Sequence, residues 1–178
     1  ETLAAALRYL LMALLGSAMY LLGAALLYAA YGTLDIGLLS AAVGRSPAVW
    51  AAMVMMTVGL MAKTALFPLH MWLPPAHAGA PPAASALLSA LVVKASFFLI
   101  VRLWFDVMPE LPTQRPAQLL GALGAAAILF GSVLALRQAR LKLLVAYSTI
   151  AQIGYLFLVF PIVTGPIGGS AAGVGAWT

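Results

Sequence analysis

Two lysines set deep in apolar stretches carry the chemistry of this sequence. Lys63 stands in AVWAAMVMMTVGLMAKTALFPLHMWL and Lys94 in ASALLSALVVKASFFLIVRLW. Each stretch is long enough to cross a bilayer, and a lysine side chain reaching about 6 Å falls short of the roughly 15 Å from midplane to headgroups. Snorkelling therefore fails for Lys94, at the centre of its stretch, and for Lys63, about three residues or ~4.5 Å past its own centre. Each placement costs roughly 2.5–3.5 kcal/mol on an insertion scale, and two such costs in adjacent helices call for a function. Desolvation and repulsion between like charges both disfavour an ammonium, which is what a residue that gives up and takes back a proton requires. The plainer alternative is a pair of lysines buried for structural reasons alone.

Pro68 follows Lys63 along the same stretch. It cannot donate to the carbonyl of Thr64, and its ring crowds that turn, so a broken helix is expected beside Lys63. Such a break is tolerated at membrane depth where the freed backbone lines a polar cavity, although a kink made for packing is the alternative. His70 lies in the same stretch and His77 in the proline-rich loop after it. An imidazole, with an ordinary pKa of about 6.5, suits a relay between the cytoplasm and Lys63. As metal ligands the two are ill placed, with Pro74 and Pro75 between them and no Cys or carboxylate nearby, so no metal and no cofactor is expected. Ser148, Gln152 and Tyr155 recur at i, i+4 and i+7 and so share one helical face, suited to interhelical hydrogen bonds or to a hydrated path. No carboxylate falls within these apolar stretches, so they do not supply the modulating partner that a lysine relay would normally use.

The elements that position these groups follow from composition. Of 178 residues, 65% are apolar and 7% charged, against roughly 45–50% and about 25% in soluble domains. The chain reads as an all-α integral membrane protein. With no cysteine, it excludes iron–sulfur clusters, c-type haem attachment and thiol redox chemistry. Its basic residues are too dispersed for a nucleic-acid surface. Five transmembrane helices are expected, at about 9–31, 47–73, 83–105, 117–136 and 143–163, forming a helical bundle over 1–163. A Gly-rich loop at 164–178 is expected to end a truncated piece of a longer protein. Gly121 and Ala125 are expected to form a small-residue packing face. Arg8, Arg137, Arg140 and Lys142 fall on one side of the bilayer, with Arg45, Arg102 and Arg115 on the other, which sets the amino end of the first span in the cytoplasm.

MAKTALFPLHMWLPPAHAGAPPAASALLSALVVKASFFLIVRLW at 61–104 and LRQARLKLLVAYSTIAQIGYLFL at 136–158 resemble the antiporter-like membrane subunits shared by respiratory complex I, membrane-bound hydrogenases and Mrp-type sodium/proton antiporters. In that family two inverted five-helix units each contain a discontinuous helix with a lysine or glutamate. The resemblance implies that Lys63 is the lysine beside the broken helix of the first unit and Lys94 the next lysine of the relay. It also implies a glutamate on the helix just before this chain as the partner of Lys63, a role not assigned to Glu1. Subunits at the distal end of complex I often carry threonine where this chain has Lys94, so the lysine favours another antiporter-like, hydrogenase or Mrp subunit.

The leading expectation is thus a proton-translocating subunit of a multisubunit translocase, such as an NADH:quinone oxidoreductase or a hydrogenase complex, in the bacterial cytoplasmic membrane. Its partners would be other membrane subunits, the lipid bilayer, and H⁺ with Na⁺ as a further candidate ion. The alternatives are a structural membrane scaffold, in which both lysines tolerate Met, and a quinone-contacting subunit, which would retain bound quinone on purification.

Overall fold

The computed structural model describes residues 2–108 and 114–165. The Gly-rich end beyond Gly165, with Glu1 and Glu110, lies outside the described residues. The helices in chain order are α1 (Thr2–Tyr31), α2 (Ile36–Ala42), α3 (Pro47–Thr64), α4 (Leu73–Gly79), α5 (Pro82–Leu87), α6 (Val93–Arg102), α7 (Gln114–Leu136), α8 (Leu141–Phe157) and α9 (Val159–Thr164). Five segments are long and apolar enough to cross a membrane: Thr2–Tyr31, Pro47–Gly79, Pro82–Val107, Gln114–Leu136 and Leu141–Thr164.

Local chemistry explains the boundaries. Asp35 caps α2, its carboxylate accepting from the Leu38 amide, and the Ser46 hydroxyl accepts from the Val49 amide at the start of α3, where Pro47 takes the first position. Pro74 and Pro75 lie at the start of α4, and Pro82 opens α5. The expected loop over 74–82 is thus replaced by two short helices, because the first turn of a helix has no need of the amide that proline lacks. Wider turns of π type flank α6 at Leu88–Val92 and Leu103–Val107, with the Val93 amide reaching Leu88 and the Met108 amide reaching Leu103.

The described residues divide into two compact units. In the first, α1 lies along α3 and α3 packs on α6. Gly16 and Gly59 bring the backbones of α1 and α3 together, since a methyl on either would meet the other's carbonyl oxygen within 2.6 Å. A buried hydrogen bond from the Trp104 indole to the Thr57 hydroxyl, 3.0 Å, ties α3 to the turn beyond α6. In the second unit, Leu66–Pro68 groups with α7, α8 and α9, and the Phe67 and Phe130 rings lie 5.4 Å apart. There α7 meets α8 at Gly124 and Gly154, and Gly121 faces Pro161 of α9. Ala125 is exposed, so the small-residue face of α7 runs through Gly121, Gly124, Ala127 and Gly131 instead of through Gly121 and Ala125.

Candidate functional site

Lys63 stands on the last turn of α3, where the carbonyls point along the helix axis and favour a cation. The helix stops one residue later. Ala65 adopts a left-handed conformation with φ 54°, its amide returning to the Met61 carbonyl, and the Thr64 hydroxyl donates to the same carbonyl at 3.0 Å. The next free carbonyl, that of Ala62, accepts the Trp72 indole N–H at 2.9 Å. A helix end inside apolar surroundings is thereby satisfied by a side chain ten residues further on. The chain passes through the cis Phe67–Pro68 peptide, makes a 3₁₀ turn over Leu69–Trp72 and enters α4. The interruption expected beside Lys63, near Pro68, thus lies at Thr64 and Ala65, with Thr64 fully buried and Pro68 exposed.

A cavity of about 120 Å³ opens beside this helix end, lined by Tyr9 and Ala13 of α1, Ala62 and Lys63 of α3, Trp72, and Val92 and Ser96 of the α6 segment. The Tyr9 ring packs against the Trp72 ring at 5.2 Å. Lys63 is half-buried, and two of the residues that line the cavity with it, Tyr9 and Ser96, bear hydroxyl groups. Among the described residues no carboxylate pairs with Lys63; the Asp106 carboxylate instead pairs with Arg102, 2.8 Å away on the same helical segment and largely exposed. Apolar walls around one ammonium and two hydroxyls make a place where water can be held and a proton passed.

His77 departs from the expected loop position. It is fully buried within α4, with Nδ1 2.5 Å from the Ser85 hydroxyl and Nε2 without a hydrogen-bond partner in the described residues. His70 is buried on the 3₁₀ turn. Neither lines the Lys63 cavity. Lys94 also departs from expectation: it is exposed on the described surface, while Val92 and Ser96, one turn apart, face the cavity. At about 100° per residue, Lys94 sits about 200° around the helix from each, on the opposite side from Lys63. Ser148, Gln152 and Tyr155 do share a face of α8, with Gln152 and Tyr155 exposed and the Ser148 hydroxyl turned back to the Val145 carbonyl at 2.8 Å. No group of three metal-ligating side chains occurs among the described residues.

Tyr9, Trp72, Ser85 and Ser96 escaped the sequence reading. They come from separate elements, and no spacing in the chain connects Tyr9 or Ser96 to Lys63. Only Trp72, within two residues of His70 in the LHMW turn, had a local signal.

The chain belongs to the NADH:quinone oxidoreductase/Mrp antiporter transmembrane family, whose description matches residues 1–176. It is 40% identical over 162 residues to NADH-quinone oxidoreductase subunit N of Desulforudis audaxviator, covering 89% of this chain and 32% of that protein. Subunit N of Moorella thermoacetica is 36% identical over 175 residues, 97% of this chain and 35% of the relative. The chain thus spans about a third of the length of these curated relatives. Among solved structures, the Mrp complex from Dietzia sp. DQ12-45-1b matches with a TM-score of 0.82 at 30% identity, over 93% of this chain and 30% of that one. An archaeal respiratory membrane complex, the membrane-bound sulfane sulfur reductase, matches with a TM-score of 0.78 at 33% identity, over 89% and 33%. The antiporter-like, all-helical membrane fold read from the sequence is that of these proteins.

Proposed function

We propose that this chain is part of a proton-translocating, antiporter-like subunit of a multisubunit membrane complex. Lys63 and Lys94 act as successive proton carriers, and His70 and His77 serve the inlet side. One observation carries the reading: Lys63 stands on the last turn of an interrupted helix of membrane-spanning length and lines a cavity that also includes Tyr9 and Ser96. Tyr9 and Ser96, which share the cavity lining with Lys63, bear hydroxyls suited to holding water beside it. The similarity to subunits of NADH-quinone oxidoreductase and of an Mrp complex supports it. Energy for the transfer comes from redox chemistry or ion exchange in partner subunits. The protein lies in the bacterial cytoplasmic membrane with the amino end of α1 on the cytoplasmic side, as the distribution of Arg and Lys favours. The test is proton uptake by vesicles containing the whole complex with Lys63→Met in the full-length subunit. Uptake falls to background with assembly intact; uptake at the parental rate refutes the reading.

A further inference from the structure

Lys63 and Lys94 lie on opposite sides of the α6 segment, so nothing in their geometry makes a direct transfer between them. The cavity beside Lys63 ends on that segment at Val92 and Ser96, and its far wall carries Tyr9. At roughly 30 Å³ per molecule it has room for several waters, provided polar groups hold them. Two of its lining residues bear hydroxyls, Tyr9 on α1 and Ser96 on α6.

The polarity of these groups decides how such waters would stand. The Ser96 hydroxyl donates its hydrogen to the Val92 carbonyl at 3.1 Å, so toward any water it can act only as an acceptor. A hydroxyl that can only accept turns a neighbouring water so that a hydrogen points to the serine and an oxygen lone pair points away. Across the cavity, Lys63 has only hydrogens to offer while it is charged. A water between them therefore presents its lone pair to the ammonium, the orientation needed to receive a proton. Tyr9, whose ring is held against Trp72, supplies a second hydroxyl that can donate or accept and so can anchor the next water. Ser96 is also buried, at 7% exposure, within the two-residue reach of Lys94 along the helix.

We infer that Ser96 and Tyr9 are positioning residues for proton release from Lys63, holding a short water chain in the cavity and directing it toward the α6 segment that bears Lys94. The inference rests on the proton-translocation reading and adds to it two residues that neither lysine chemistry nor spacing marks. The proton leaves the Lys63 nitrogen for a water oxygen, and that water passes one of its own hydrogens to the next. The hydroxyls orient the waters and neither gains nor loses a proton overall.

The experiment places Ser96→Ala, Ser96→Thr and Tyr9→Phe in the full-length subunit within the intact complex. It measures proton uptake in H₂O and in D₂O, with Lys63→Met as control. Losing one orienting hydrogen bond should slow uptake about three- to tenfold and raise the ratio of rates in H₂O and D₂O. Ser96→Thr, which restores the hydroxyl, should recover the parental rate and ratio. A purely structural serine would leave the isotope ratio unmoved. Tyr9→Phe keeps the ring against Trp72 and removes only the oxygen, so it supplies an independent measurement. Parental uptake and isotope ratio in both Ser96→Ala and Tyr9→Phe, with Lys63→Met inactive, overturn this inference alone. Parental uptake in Lys63→Met overturns the reading beneath it.

Discussion

The contact between Gly16 and Gly59 permits a quantitative test of how α1 holds Lys63. A methyl at Gly59 would lie 2.5 Å from the Gly16 carbonyl oxygen, 3.0 Å from the Tyr20 amide nitrogen and 3.1 Å from Met19 Cβ. Two of these atoms belong to the backbone and cannot swing away, so the helices must part by the better part of an ångström to restore ordinary contact. Overpacking of this kind costs about 1–3 kcal/mol, and the rigid neighbours place Gly59→Ala toward the upper end. Gly16→Ala makes the reciprocal clash, 2.6 Å from the Gly59 oxygen, and adds a contact of 3.0 Å with Lys63 Cγ. Both substitutions should lower stability by a similar amount, whereas Gly16→Ala should reduce proton uptake further because it also displaces the lysine stem. Gly44→Ala is the control: nothing lies within 4 Å of a methyl there, and its effect should stay within about 0.5 kcal/mol. The assay is unfolding of the purified full-length subunit in mixed micelles, paired with proton uptake by the assembled complex. Stability of Gly59→Ala equal to that of Gly44→Ala would refute the close packing, and equal uptake by Gly16→Ala and Gly59→Ala would refute the contact with Lys63.

Three further outcomes follow from the same geometry. Trp72→Phe strips the indole N–H from the Ala62 carbonyl and should cost about 1–3 kcal/mol in the same unfolding assay, since a buried acceptor is left bare; a change below about 0.5 kcal/mol would mean the bond does not cap the helix. Ala65→Val puts a β-branched side chain at φ 54° in a site only 1% exposed and should destabilise by about 2 kcal/mol or more, where an unchanged stability would contradict the left-handed helix end. Single cysteines at Ala139 and Ala78 should react only with reagent on the cytoplasmic side and one at Gln114 only from outside, and the reverse pattern would invert the topology and remove His77 from the inlet.

The five long helices were legible because nothing but hydropathy over about 20 residues is needed to find them. Their interruptions were less so. Pro68 signals the break at the Thr64 turn, where the helix does end, but its left-handed stop falls on Ala65, a residue type that ordinarily avoids that conformation and carries no such signal. The prolines beside His77 suggest a loop by composition, yet they stand in the first turns of helices. The short helix α2 is too brief to show a period, although Asp35 caps it. The depth of Lys94 along its helix suggests burial, but depth says nothing of azimuth, and the cavity lies on the Val92 and Ser96 side. The candidate site was thus half visible: its ammonium and its broken helix stand in the sequence, while its hydroxyls and its capping indole meet only in the fold.

The central claim is that Lys63 and Lys94 work in series. It is tested most directly by proton uptake in vesicles holding the whole complex with Lys63→Met, Lys94→Met and both together, each checked for assembly. Residues acting in one sequence give non-additive losses, so each single variant should fall to background and the double variant should be no worse. Lys94→Arg should fail as well, because a guanidinium stays protonated at any working pH and does not release its proton. Uptake at the parental rate by the assembled Lys63→Met and Lys94→Met complexes would contradict the account and leave a structural scaffold in its place.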